Sequence, residues 1–339
     1  MKGKILILCG TGSIGSHTVR ELSELGYSID VTTQDSLENS SQVRYFKVNS
    51  YDNNVLKDIL QGEKYDAIID FHHYNPEMYT ERLNLLADNA SQLIFLSSYR
   101  VYADLEHPIK ETSPQLIDVT DDPYLLNEEN YAMYKSRCER IINASPYKNK
   151  VTIIRPVISF YYRSLSLITT PAPILIPRSL EGKKVLLPVE GKDVVAGYNW
   201  SGNTAKYISR LVLNPKAYGE AFTLASHEKL TWGEFAEYYR EYLGTDYEWV
   251  DKETYLKYGT SNTRGDIFGL DQDRLLDRSV DISKVLSATG LSVQDLTPLK
   301  DAIKLECEKI KESYSSISDI FINESATKIN CKLDEYFNK

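Results

Sequence analysis

Lys4-Ile5-Leu6-Ile7-Leu8-Cys9-Gly10-Thr11-Gly12-Ser13-Ile14-Gly15-Ser16-His17 decides the fold. Ile5 to Leu8 run apolar without alternation, the pattern of a parallel strand buried on both faces. Gly10, Gly12 and Gly15 then give G-x-G-x-x-G. The first glycine permits the tight turn, the second lets backbone approach a pyrophosphate, and the third lets a helix pack on the strand. A helix predicted from Ser13 to Leu25, closed by Gly26, aims its N-terminal N–H groups at that phosphate position. Placed after a strand and before a helix, the turn reads as a dinucleotide site. Thr11, Ser13 and Ile14 join the three glycines as candidate cofactor contacts.

The chain has 339 residues, enough for one large domain or two unequal ones, and a formal charge of -9 with no basic stripe. That argues against nucleic acid polymers and anionic membranes as partners. No apolar run approaches the ~18 residues of a membrane span, and the N-terminus enters its strand at once, leaving no room for a signal peptide. Cys9, Cys138, Cys307 and Cys331 lie far apart with no metal-ligand spacing, so a reduced, cytoplasmic, metal-free protein is expected.

Strands and helices alternate through the first half. Strands are predicted at Ser28–Thr33, Val43–Val48, Ala67–Phe71, Gln92–Ser98 and Val151–Arg155, with helices at Asn53–Leu60, after Asn75-Pro76, and at Glu128–Asn143. This is the pattern of a Rossmann-type, doubly wound parallel α/β sheet, whose strand ends line one crevice. Phe71, His72, Ser97 and Pro156 fall at those ends and are candidate cofactor contacts. His73 shares the crevice side, and adjacent histidines without a spaced carboxylate are poor metal ligands.

At the end of the second strand an NAD site places a carboxylate about 20 residues past the glycines. That position falls on Thr33-Gln34, and neither is acidic, which leans toward NADP. Asp35 lies one residue on and no arginine adjoins Thr33, so NAD and NADP both stay open.

Ser97-Ser98 closes the fifth strand, and Tyr131-Ala-Met-Tyr-Lys135 follows on a helix. Four residues apart, Tyr131 and Lys135 share one helical face. An ammonium there favours phenolate and draws the phenol toward proton transfer near neutral pH. With 25 tyrosines a Y-x-x-x-K match arises easily by chance. Its order after a glycine turn and a Ser-Ser strand end is what marks a catalytic set.

With these motifs in place, the chain resembles the extended short-chain dehydrogenases/reductases, specifically the NAD-dependent epimerase/dehydratase family acting on nucleotide sugars. The resemblance spans roughly Lys2 to Leu299. It rests on Gly10, Gly12 and Gly15, on Leu96-Ser-Ser-Tyr-Arg-Val-Tyr102, on Tyr131 with Lys135, and on Ile154-Arg-Pro156. It implies that Tyr131 is the general acid/base, that Lys135 holds the nicotinamide ribose, and that Ser98 hydrogen-bonds the reacting oxygen. Hydride would pass at a sugar carbon, usually C4. A homodimer is implied by the resemblance alone.

Three departures bear on function. Cys9 stands where relatives commonly have glycine. Tyr99 and Arg100 occupy the place of the Asp-Glu pair of dehydratases, which marks 4,6-dehydration down and makes both residues candidate substrate contacts. The arginine that often grips the diphosphate ahead of Gly197–Ala205 is replaced by Val194-Val195-Ala196, so Arg178, Arg274 or Arg278 is expected to take the phosphate.

The division expected is 1–156 for the dinucleotide domain with the catalytic set, 157–300 for an interleaved substrate region, and 301–339 for a helical tail. Pro171 to Lys184 resembles the segment that closes over the nucleotide. Thr231-Trp-Gly-Glu234 is a capping box opening a helix whose aromatics pack on the sheet. Asp271 to Lys284 reads either as a solvated charged helix start or as the arginine fork for a diphosphate. The leading expectation is a nucleotide-sugar C4 epimerase, followed by an NADPH-dependent 4-keto-sugar reductase and then a non-catalytic NAD(P)-binding sensor.

Overall fold

A computed structural model describes residues 2–127 and 131–338. The chain forms two compact units. The first comprises Met1–Ser159, Ser201–Ala225 and Val280–Leu296, and the second Phe160–Trp200, Ser226–Ser279 and Thr297–Lys339.

The first unit begins with β1 (Lys4–Leu8), α1 (Ser13–Glu24), β2 (Ser28–Thr33), β3 (Val43–Lys47) and α2 (Asn53–Leu60). It continues with β4 (Tyr65–Asp70), α3 (Pro76–Asp88), β5 (Ala90–Leu96), α4 (Tyr131–Ala144) and β6 (Val151–Pro156). The start predicted for α4, Glu128, lies outside the described residues. A last strand, Ala221–Leu224, pairs beside β6, giving the order Ala221–Leu224, β6, β5, β4, β1, β2, β3. Every pairing is parallel, with Leu6 opposite Ile68 on one side and Asp30 on the other. Strand order reverses between β1 and β4, so the crevice opens beyond their C-terminal ends.

Ile5, Leu6, Ile7 and Leu8 are all 0% exposed, as the unbroken apolar run predicted. Ile5 and Ile7 enter one core with Val31, Ile69, Tyr207 and Ile208, while Leu6 and Leu8 enter the other with Ile68, Leu83 and Phe95. Each such side chain contributes about 1.5–3 kcal/mol on burial, so the strand carrying the glycine turn is anchored from both faces.

The second unit holds the helix Ala172–Leu180, a parallel pair Lys184–Pro188 with Asp246–Val250, and the helices Trp232–Leu243, Leu299–Ile317 and Glu324–Phe337. The capping box is present: Thr231 Oγ1 accepts from the Glu234 N–H, and Glu234 accepts from the Thr231 N–H at 2.8 Å. Phe235 and Tyr239 pack on Tyr198 rather than on the large sheet, with Tyr198 and Tyr239 hydroxyls 2.9 Å apart. The tail docks inside this unit, where Phe321 is buried against Tyr314.

Candidate active site

The glycine turn is built as its spacing requires. A Cβ on Gly15 would lie 2.7 Å from the carbonyl carbon and oxygen of Gly10, so only glycine lets α1 approach the strand. A Cβ on Gly10 would lie 2.6 Å from Val31 Cγ1, whereas a Cβ on Gly12 meets nothing within 4 Å. Gly12 is the N-cap of α1 and brings no capping side chain to its N–H groups. The open face at Gly12 and the uncapped helix start fit a dinucleotide pyrophosphate.

Cys9 takes φ of +58°, a left-handed conformation that an L-residue adopts at a cost of about 1–2 kcal/mol. Its N–H donates to Thr32 Oγ1 at 3.0 Å, which holds the turn. Cys9→Gly is expected to raise thermal stability by about 0.5–1 kcal/mol after glycine's entropy is counted. Thermal unfolding of the two forms checks this, and equal or lower stability would show that the thiol contributes more than its backbone costs.

At the end of β2 the chain turns back on itself. The Asp35 N–H donates to Thr33 Oγ1 at 3.0 Å, and that hydroxyl lies 3.3 Å from Asp35 Oδ2 and 2.8 Å from Thr11 Oγ1. A carboxylate therefore sits against Thr33 although neither Thr33 nor Gln34 is acidic.

The two histidines after β4 part company. His72 is buried beneath the turn, with Nδ1 3.1 Å from Asp70 Oδ1 and Nε2 3.2 Å from Ser50 Oγ, which in turn lies 2.8 Å from Thr32 Oγ1. Its ring ties the loop after β4 to Ser50 and Asp70. Asp70 Oδ2 is buried without a partner among the described residues. His73 is exposed and stacks on Tyr131, ring centroids 5.1 Å apart.

β5 and α4 bring Ser98, Tyr131 and Lys135 together. Ser98 hydrogen-bonds the Tyr131 hydroxyl. Lys135 is 1% exposed, with Nζ 5.8 Å from the Tyr131 ring centroid, and it donates to the carbonyls of Leu96 at 2.5 Å and His72 at 3.4 Å. Burial pushes the Lys135 ammonium down to about 8, opposed chiefly by the charge of Asp70. Burial also raises the Tyr131 phenol, and the groups pulling it back are Ser98 and Arg100. Partial desolvation of the ring against its neighbours, and then the Lys135 charge, lower His73.

Among the other expected contacts, Tyr99 is buried in the core of the first unit. The Ser97 hydroxyl turns away and donates to Glu139, which is itself buried and paired bidentately with Arg155 at 2.9 and 2.6 Å. That network escaped the sequence reading because Glu139 and Arg155 are brought together only by the packing of α4 on β6. Phe71 packs against the core and Pro156 ends β6.

In the second unit Arg178 donates to Lys184 O and Asp334, tying the helix Ala172–Leu180 to the C-terminal helix. Arg274 bonds the Ile168 carbonyl and Asp273, and Arg278 bonds the Gln272 carbonyl with Nε 3.5 Å from Asp273. Asp273 and Arg278 are buried, so Asp271–Lys284 is not a solvated helix start.

Fold and site together define a dinucleotide-binding α/β protein. A model of the NAD dependent epimerase/dehydratase family matches residues 5–193, and the chain belongs to that family. It is 28% identical over 153 residues to a UDP-glucose 4-epimerase of Lactobacillus helveticus, covering 41% of this chain and 46% of that protein. A UDP-glucose 4-epimerase of Lacticaseibacillus casei matches at 29% over 155 residues, covering 39% and 45%. The chain thus spans somewhat under half the length of these curated relatives. Among solved structures, an epimerase from Methanothermobacter thermautotrophicus is similar with TM-score 0.71, 15% identity and 94% coverage of both chains. UDP-glucuronic acid 4-epimerase from Bacillus cereus, solved with UDP-glucuronic acid and NAD, gives TM-score 0.68, 16% identity and coverage of 91% and 99%. No helix among the described residues is long and apolar enough to cross a membrane.

Proposed function

We propose that this protein is an NAD-dependent epimerase that inverts C4 of a nucleoside-diphosphate sugar. The observation that carries the reading is the Ser98 hydrogen bond to Tyr131, with Lys135 buried one turn along α4 at the end of β5. Gly10, Gly12 and Gly15 with the start of α1 would hold the pyrophosphate, and Lys135 the nicotinamide ribose. When bound, NAD supplies a hydride acceptor that later returns the hydride. Tyr131 takes the proton from the C4 hydroxyl and gives it back after the sugar has presented its other face. Ser98 holds the same oxygen and fixes the phenol's direction. The relatives' names point to a UDP-hexose or UDP-hexuronate substrate.

Asp35 beside Thr33 supports NAD over NADP, because a carboxylate suits ribose hydroxyls and repels a 2′-phosphate. The test is to denature freshly purified protein, identify the released nucleotide, and assay C4 inversion of UDP-glucose and UDP-glucuronic acid. Near-stoichiometric NAD with inversion of either sugar is expected. Empty protein that takes up NADPH far better than NADH would instead indicate a reductase of 4-keto sugars.

A further inference from the structure

A chain of hydrogen bonds runs from the glycine turn to Lys135 through buried side chains. It starts at the Cys9 N–H, which donates to Thr32 Oγ1 at 3.0 Å. Thr32 Oγ1 lies 2.8 Å from Ser50 Oγ, Ser50 Oγ lies 3.2 Å from His72 Nε2, and His72 Nδ1 lies 3.1 Å from Asp70 Oδ1. The His72 backbone completes it. Its N–H donates to the same Asp70 oxygen at 3.1 Å, and its carbonyl accepts from Lys135 Nζ at 3.4 Å. Thr32, Ser50, His72, Asp70 and Lys135 are all buried. The proton directions are set from both ends, because a backbone N–H only donates and a carboxylate only accepts. Thr32 therefore turns its proton to Ser50, Ser50 turns its own to Nε2, and Nδ1 carries the N–H that faces Asp70.

We propose that His72 is a positioning residue for the cofactor: its ring and backbone fix the distance between the glycine turn, which would seat the pyrophosphate, and Lys135, which would hold the nicotinamide ribose. A buried polar network with every link made holds its members in one arrangement. What this one sets is the separation of two subsites, so only a ligand that spans both feels its loss. Tyr51, next after Ser50, clamps the same loop, its hydroxyl accepting the His73 N–H and donating to the His73 carbonyl, both at 3.2 Å. That second hold keeps the loop folded when Ser50 is truncated, so a variant there reports on position rather than on unfolding. The inference rests on the proposed roles of the glycine turn and of Lys135.

The test titrates the full-length protein with NADH, followed by cofactor fluorescence, and then displaces it with ADP, which carries the pyrophosphate but no nicotinamide ribose. Ser50→Ala cuts the chain at one hydroxyl. His72→Asn cuts the same link and keeps an amide N–H in the place of Nδ1. Each variant is expected to weaken NADH about tenfold while ADP changes by less than about twofold, and the double variant to weaken NADH no further than either alone. Equal weakening of ADP, effects that add in the double variant, or unchanged NADH affinity in both single variants would overturn the proposal. Lys135→Met tests the underlying reading. If it leaves the ratio of NADH to ADP affinity unchanged, that reading and the proposal fall together, whereas a changed ratio there with none in Ser50→Ala and His72→Asn sinks the proposal alone.

Discussion

Tyr131→Phe is expected to lower kcat by about 10²–10⁴-fold, the range spanned by a positioned general acid/base, with NAD binding intact. The phenyl ring keeps its stacking with His73 and its place on α4, and Ser98 loses only its hydroxyl partner. Nothing at the glycine turn depends on that hydroxyl. KM should therefore change little, since the phenol acts on an oxygen whose charge develops during the reaction. Steady-state kinetics and a fluorescence titration of bound cofactor separate the two effects. Equal loss of cofactor affinity would make Tyr131 a binding residue, and unchanged kcat would remove it from the chemistry altogether.

Glu139→Gln is expected to lower stability by about 3–5 kcal/mol, the cost of stranding one member of a buried ion pair. Glu139 accepts two hydrogen bonds from Arg155, one from Ser97 and one from Gln115 Nε2 at 3.0 Å. Arg155 also donates to the Tyr102 hydroxyl at 2.7 Å and to the Glu111 carbonyl, so the guanidinium would stay buried with one of its four hydrogen bonds lost and its countercharge gone. Because Ser97 precedes Ser98, activity should fall with stability rather than independently of it. Chemical denaturation followed at several wavelengths gives the change. A loss below about 1 kcal/mol would mean that solvent reaches Arg155 once its partner is neutral.

The parts of this molecule that were legible in the sequence are those whose cause is local. Ile5 to Leu8, the three glycines, the Thr231 capping box and the Tyr131/Lys135 spacing each state their geometry within one element, and each formed as expected. Side-chain direction at the strand ends was not legible. His72 and His73 are neighbours, yet extended backbone sends one under the turn and the other onto Tyr131. Thr33-Gln34 seemed to lack an acid because the Asp35 N–H bond to Thr33 Oγ1, which brings the carboxylate back, is a turn property rather than a position in a count. Arg178, Arg274 and Arg278 were expected at a diphosphate from the family resemblance and the fit of a guanidinium, whereas their partners Asp334 and Asp273 are set by packing.

The alternation of the chain between its units governs how it is made. The chain passes from one unit to the other five times, and the first is not complete until residue 296. Until Ala221–Leu224 leaves the ribosome, β6 presents a full row of unpaired N–H and C=O groups, and Tyr207 and Ile208 are missing from one core. A nascent chain cut after residue 159 would hold every residue of the proposed catalytic set and still expose a strand edge suited to aggregation. For this protein, holding the active-site residues and being able to fold are separated by more than a hundred residues of synthesis.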